Sequence, residues 1–73
     1  MTKWEYCEVT APMRDDGQSV RVYLNGEPAL PESRTSALYD FLNKLGGEGW
    51  EMISCAFYPN KTAFYYFKRA IES

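Results

Sequence analysis

The stretch Leu45-Gly46-Gly47-Glu48-Gly49-Trp50-Glu51-Met52-Ile53 decides the fold, because it joins the end of an amphipathic helix to an apolar strand. Four apolar residues recur at helical spacing up to this point: Leu38, Phe41, Leu42 and Leu45. Ser33 is placed to cap the helix with its hydroxyl, so we expect a helix over 33–45. Gly46 or Gly47 is expected to end it in a left-handed conformation.

Four further segments have the character of strands. Residues 4–10 mix aromatic and β-branched side chains with charges, and 19–24 alternate apolar with polar residues. The apolar runs 50–58 and 63–70 are separated by a short turn at 59–61, which predicts an antiparallel hairpin. These segments and the helix predict an α+β fold, with a small antiparallel sheet of about four strands in the order β-β-α-β-β.

The segments between these elements carry turn and breaker residues. Residues 12–18 are expected to form a loop. Asn25-Gly26 suits a tight turn with positive φ, which could fold 27–30 back as a short edge strand, although Pro28 and Pro31 limit that possibility. One helix is expected to pack on one face of the sheet, and residues 1–73 are expected to form a single domain.

The small size of the chain limits its core. A domain of 73 residues removes only about 60% of its unfolded surface from water, so a disulfide, a metal or a partner subunit usually adds stability. With no His, Cys7 and Cys55 cannot alone supply the four ligands that a structural zinc site normally needs, and no metal is expected. Both Cys lie in apolar segments, which favours buried free thiols over a bridge between them.

The charge pattern argues against polyanionic partners. The formal net charge is −2, and the basic residues Lys61, Lys68 and Arg69 are expected to form a solvated rim, so nucleic acid is an unlikely partner. No charged and apolar leader precedes Trp4, and no run approaches the length of a membrane span. The expected location is the cytoplasm, with no membrane partner.

The C-terminal hairpin is apolar on both of its predicted faces. Strict alternation places Trp50, Met52, Ala56 and Tyr58 on one face and Ile53, Cys55 and Phe57 on the other. In the returning strand, one face carries Ala63, Tyr65 and Phe67, and the other face carries Phe64, Tyr66 and Ala70. A single helix covers only one side of a sheet, so the other side needs a different cover.

We expect that cover to be a second copy of the chain, so that the protein is a homo-oligomer and most simply a dimer. The hypothetical interface residues are Tyr6, Tyr65, Tyr66 and Phe67. The alternative is a small-molecule or nucleotide-binding module that stacks a flat ligand on these sheet aromatics. The acidic charge balance and the usual core role of strand aromatics favour self-association over a ligand.

Several short motifs together resemble the family called domain of unknown function 4177. They are Trp4-Glu5-Tyr6, Leu42-Asn43-Lys44-Leu45-Gly46, Glu48-Gly49-Trp50-Glu51-Met52-Ile53-Ser54 and Tyr66-Phe67-Lys68-Arg69. The resemblance covers most of the chain but not 25–31. It implies a compact domain of strands and one helix, with no established activity or cofactor.

The residues of the central motif have a structural interpretation. Gly49 permits a sharp turn, and Trp50 is expected to close one end of the core. Glu51 should lie on the opposite face, where Lys68 or Arg69 of the returning strand could pair with it.

No catalytic residues are expected, and the protein is not expected to be an enzyme. The chain lacks His, the commonest general base, and a Cys without a nearby base is a weak nucleophile. Glu48 and Glu51 flank a Gly-Trp turn, so their carboxylates should diverge. The glycine cluster at 46–49 follows a helix instead of preceding one, which is unlike a phosphate-binding loop, and no cofactor is expected.

Overall fold

The chain folds into a five-stranded antiparallel sheet with one helix in a computed structural model, which describes residues 2–14 and 18–71. The elements are β1 (Lys3–Pro12), β2 (Ser19–Leu24), β3 (Glu27–Arg34), α1 (Thr35–Gly47), β4 (Glu51–Phe57) and β5 (Thr62–Ile71). The strands lie in the order β3-β2-β1-β5-β4. The predicted α+β class with an antiparallel sheet is confirmed, but the strand count of four is wrong.

The additional strand is β3, which the prolines had made doubtful. Asn25 and Gly26 adopt φ values of 52° and 85°, the paired positive φ of a type I′ turn, and this turn returns the chain antiparallel to β2. Two register shifts interrupt the pairing of β2 with β3. Pro28 and Pro31 are tolerated because β3 is an edge strand, where one side of the backbone needs no ladder partner.

The first strand also runs further than the sequence predicts. It continues to Pro12, and Met13 forms an isolated bridge with Val20, so the predicted loop over 12–18 is shorter than expected. Residues 15–17 of that loop lie outside the described residues.

The helix begins later than predicted and has a different cap. Ser33 belongs to β3, and its hydroxyl donates a hydrogen bond of 2.7 Å to the Pro31 carbonyl oxygen instead of capping the helix. Arg34 occupies the N-cap position with an extended backbone (φ −75°, ψ 157°), and its side chain makes no capping hydrogen bond. The predicted cap at Ser33 is therefore wrong, because Ser33 pairs with Val20 in the β2–β3 ladder, and the helix begins two residues after the predicted position.

The helix also ends later than predicted. Gly46 and Gly47 are helical, and the left-handed residue is Gly49, with a φ of 94°. The Trp50 N–H donates to the Leu45 carbonyl oxygen at 3.0 Å, and the Gly49 N–H donates to that of Gly46 at 3.1 Å. These two bonds form a Schellman motif, which satisfies carbonyl groups in the last turn and turns the chain toward β4.

The core lies between α1 and one face of the sheet. Its buried residues are Cys7, Val9, Ala11, Val20, Val22, Leu38, Leu45, Ala63 and Phe67. In the β1–β5 ladder Cys7 lies opposite Phe67 and Ala11 opposite Ala63, so these side chains share the helix side of the sheet. We call the other side the back face.

The alternation predicted for the hairpin holds for β5 but fails within β4. Met52 lies opposite Phe67, yet Ser54 lies opposite Tyr66, so the ladder contains a register shift between the two β4 residues. A bulge adds one residue and reverses the facing of everything beyond it. Met52 is therefore on the helix side together with Cys55, and the prediction that it shares a face with Ala56 is wrong.

The two cysteines differ in their surroundings, and both are free thiols. Cys7 is buried as predicted, and burial raises its pKa above the usual value, while the nearby Arg69 charge opposes this shift. Cys55 is exposed, so the expectation that it is buried is wrong. The strand β5 lies between β1 and β4 and separates the two residues.

Candidate interaction surface

The outer part of the β4–β5 hairpin exposes a group of large apolar side chains. Met52 is 42% exposed, Ile53 48%, Phe57 63% and Tyr58 47%. We call these residues the hairpin surface. Every residue of β4 is exposed except Ala56, which is half-buried, because α1 does not extend over this edge of the sheet. Clusters of exposed apolar residues of this kind often mark interaction sites.

The four residues predicted from the sequence to form an interface do not come together. Phe67 is only 3% exposed and lies in the core, where a partner cannot reach it. Tyr65 is on the same side of the sheet and half-buried, and its burial, reinforced by Tyr39 and Cys55, raises its pKa. Tyr6 and Tyr66 lie on the back face, since they pair in the ladder with Lys68 and Glu8.

The back face is mixed in character. Tyr6 is 66% exposed, and the Lys68 Nζ lies 4.3 Å from the centroid of the Trp4 ring, a cation–π contact. Glu8 lies between the aromatic residues, and its Oε1 accepts a hydrogen bond of 3.3 Å from the Thr10 hydroxyl. This face therefore presents aromatic rings that are interrupted by charges.

The Gly49-Trp50-Glu51 motif connects the helix to the sheet through Arg69. The Arg69 guanidinium carbon lies 4.3 Å from the centroid of the Trp50 ring, and its Nη1 donates a hydrogen bond of 3.0 Å to the Glu48 carbonyl oxygen. Its Nε donates to Glu5 Oε1 at 2.6 Å, and its Nη2 lies 2.5 Å from the same oxygen. Arg69 thus joins β1, β5 and the helix end.

The contacts of Arg69 bear on the predicted pairing of Glu51 with Lys68 or Arg69. Of the two partners proposed for Glu51, Lys68 is the residue opposite it in the β4–β5 ladder, whereas Arg69 pairs with Glu5. Trp50 is half-buried and packs against the core, as expected for a residue that closes one end of it.

The two edges of the sheet are built differently. The β3 edge contains Pro28 and Pro31, and its Glu32 forms an ion pair with Arg14. Prolines and charges on an edge strand hinder pairing with another chain. The sequence of β4 has no proline, and Glu51 at its start is its only charged residue.

The free side of β4 also presents backbone hydrogen-bonding groups. The Tyr58 N–H donates to the Thr62 carbonyl oxygen at 3.0 Å, which makes these two residues a hydrogen-bonded pair. In an antiparallel ladder such pairs alternate with pairs whose backbone groups point outward. Because Cys55 and Phe57 lie opposite Tyr65 and Ala63 in the same register, their N–H and C=O groups point toward the free edge.

The sequence contained part of the signal for this surface. The exposed residues of β4 belong to the apolar run that predicted the hairpin. Ile53 and Phe57 were assigned to one face of the hairpin but were not among the predicted interface residues, because the sequence does not show which of the two hairpin strands pairs with β1. The ladder between β1 and β5 settles that question and leaves β4 at the edge.

A shallow groove of about 350 Å³ lies between α1 and β3. It is lined by Ala29, Leu30, Ala37, Asp40, Phe41 and Lys44. Over residues 2–14 and 18–71, no group of three or more His, Cys, Asp or Glu side chains is arranged to hold a metal ion. The helix in this part of the chain is too short and too polar to cross a membrane.

Comparison with protein-family models, with curated proteins and with solved structures gives no significant match to this chain. The resemblance to the domain of unknown function 4177 therefore stays a prediction, carried by the motifs around Gly49-Trp50-Glu51.

Proposed function

We propose that this protein is a homo-oligomeric interaction module, a dimer in its simplest form, and that its β4–β5 hairpin provides the contact surface. The observation that carries the proposal is the hairpin surface, where Met52, Ile53, Phe57 and Tyr58 are each at least 42% exposed.

The protomer has a small core and leaves large apolar side chains exposed to solvent. Full burial of one large apolar side chain contributes roughly 1.5 to 3 kcal/mol, so half-exposed side chains retain part of that amount for association. Any partner that binds only the folded chain stabilises it by mass action. A second copy would therefore supply both the missing cover and additional stability.

The shape of the protomer supports the same proposal. The chain measures 46 × 21 × 17 Å, and its accessible surface is 5158 Å². A folded monomer of this mass is expected to expose about 4600 Å². The protomer is thus elongated and more exposed than a typical monomeric domain, as expected for a chain that buries further surface in an assembly.

A flat ligand on the back face has weaker support. Tyr6 and Tyr66 are neighbours there, but Glu8 and Lys68 lie directly opposite them in the ladder. An uninterrupted aromatic platform would suit stacking better than this mixed surface. The hairpin surface, by contrast, places four large and exposed apolar side chains within residues 52–58 at one edge of the sheet.

The proposal is tested by adding one negative charge either inside or outside the hairpin surface. Ile53→Glu should weaken self-association at least about tenfold, which corresponds to about 1.4 kcal/mol, because it buries a charge against apolar groups. Asn43→Glu adds the same charge at an exposed position of α1 and should leave association unchanged. Light scattering over a concentration series measures both.

Circular dichroism should show that both variants keep the wild-type secondary structure. If Ile53→Glu and Asn43→Glu associate as tightly as the wild type, the hairpin is not the contact surface.

A further inference from the structure

We propose that β4 pairs antiparallel with β4 of a second copy, with Ala56 of each chain at the two-fold axis, to form a continuous ten-stranded sheet. This inference rests on the proposed self-association and specifies how it occurs. It concerns the free edge of the sheet, where the hairpin surface and unpaired backbone groups coincide.

A second copy of the chain is the expected partner because the free edge of β4 is complementary to itself. Cys55 and Phe57 each direct one N–H and one C=O outward, so two copies in antiparallel orientation can satisfy each other with the same groups. An isologous contact of this kind closes after two subunits. The opposite edge, β3, is blocked by Pro28 and Pro31, so the sheet has one edge suited to pairing.

The register follows from the bulge and from side-chain size. The regular part of β4 begins at Ser54, after the register shift, so pairing is best over 54–58. Centring on Ala56 places Cys55 of each copy opposite Phe57 of the other, and these two pairs exchange four hydrogen bonds. Ala56 then faces its own copy in a pair without hydrogen bonds, where side chains approach most closely and a small residue fits best.

The side chains agree with this register on both sides of the sheet. On the helix side, Phe57 would pack beside Cys55 of the other copy, and both side chains are uncharged and exposed. On the back face, Ser54 would lie opposite Tyr58 of the other copy, because residue numbers that sum to 112 are paired over 54–58.

The decisive variant is Phe57→Pro, matched with Phe57→Thr. Both remove the aromatic side chain, but only proline removes the N–H that points away from β5, so the β4–β5 ladder keeps its bonds. Sedimentation should show that Phe57→Pro dimerises at least tenfold more weakly than Phe57→Thr. Equal dimerisation of the two variants would overturn the pairing.

A second measurement uses the wild-type chain, so it does not depend on the folding of a variant. In a dimer of one ¹³C-labelled and one unlabelled copy, an isotope-filtered nuclear Overhauser spectrum should show contact between the two Ala56 Hα atoms. Contacts that instead join Cys55 to Cys55, or the two back faces, would overturn the register or the edge pairing.

The outcomes separate this inference from the proposed function. A wild-type chain that stays monomeric removes both. A wild-type dimer that lacks the Ala56 contact, and in which Phe57→Pro associates like Phe57→Thr, overturns edge pairing and leaves self-association standing. If an added β-strand peptide binds the β4 edge while a second copy of the chain does not, the choice of a second copy as the partner is overturned.

Discussion

Gly49 reverses the chain between helix and sheet, and its backbone conformation explains why a glycine is needed there. Its φ of 94° is a region that residues with a Cβ adopt only at a cost. A Cβ at this position would lie 3.3 Å from Cδ of Arg69. The sequence predicted that Gly46 or Gly47 ends the helix in a left-handed conformation, which is wrong, because both are helical and the left-handed residue is Gly49.

Replacing Gly49 with alanine should destabilise the protein. We expect Gly49→Ala to lower the free energy of unfolding by more than about 1 kcal/mol, because alanine is strained at positive φ. Gly46→Ala is the matched control, since Gly46 is helical and has open space around it, and it should be neutral or stabilising by up to about 1 kcal/mol. Urea unfolding of both variants measures the difference. Equal stability of the two would contradict this role of Gly49.

The positions of the strands in the sequence were easier to predict than the order in which the strands pair in the sheet. Alternating and apolar runs indicated β2 and the hairpin, and β2 occupies the predicted range Ser19–Leu24. The bulge in β4 and the edge position of that strand were not predictable, because both depend on long-range pairing. The same applies to Ser33, whose capping propensity is overridden by the ladder with β2.

Arg69 connects three elements, and this connection should be measurable as a coupling energy. In a double-mutant cycle of Glu5→Gln and Arg69→Gln, we expect a coupling of about 0.5 to 1 kcal/mol, limited by the partial exposure of both side chains. The pair Arg14 and Glu32 provides the control cycle, because its side chains are 63% and 39% exposed. Its coupling should be smaller. A larger coupling for Arg14 and Glu32 would show that Arg69 is not a central connection.

At the scale of the whole molecule, one short helix shelters only part of one sheet face. The sequence predicted this imbalance from the two apolar faces of the hairpin, and it correctly placed Tyr65 and Phe67 on the side opposite Tyr66. It did not predict that Phe67 is enclosed within the protomer while β4 stays uncovered. That outcome depends on the position of α1 over the sheet, which local patterns do not encode.

The central claim is that a second copy binds the exposed β4–β5 hairpin, and the mass of the wild-type chain in solution tests it most directly. Sedimentation velocity over a range from micromolar to millimolar concentration should show a species that approaches twice the protomer mass of 8.4 kDa. A mass that stays at 8.4 kDa over the whole range, for a folded and soluble chain, would contradict the account.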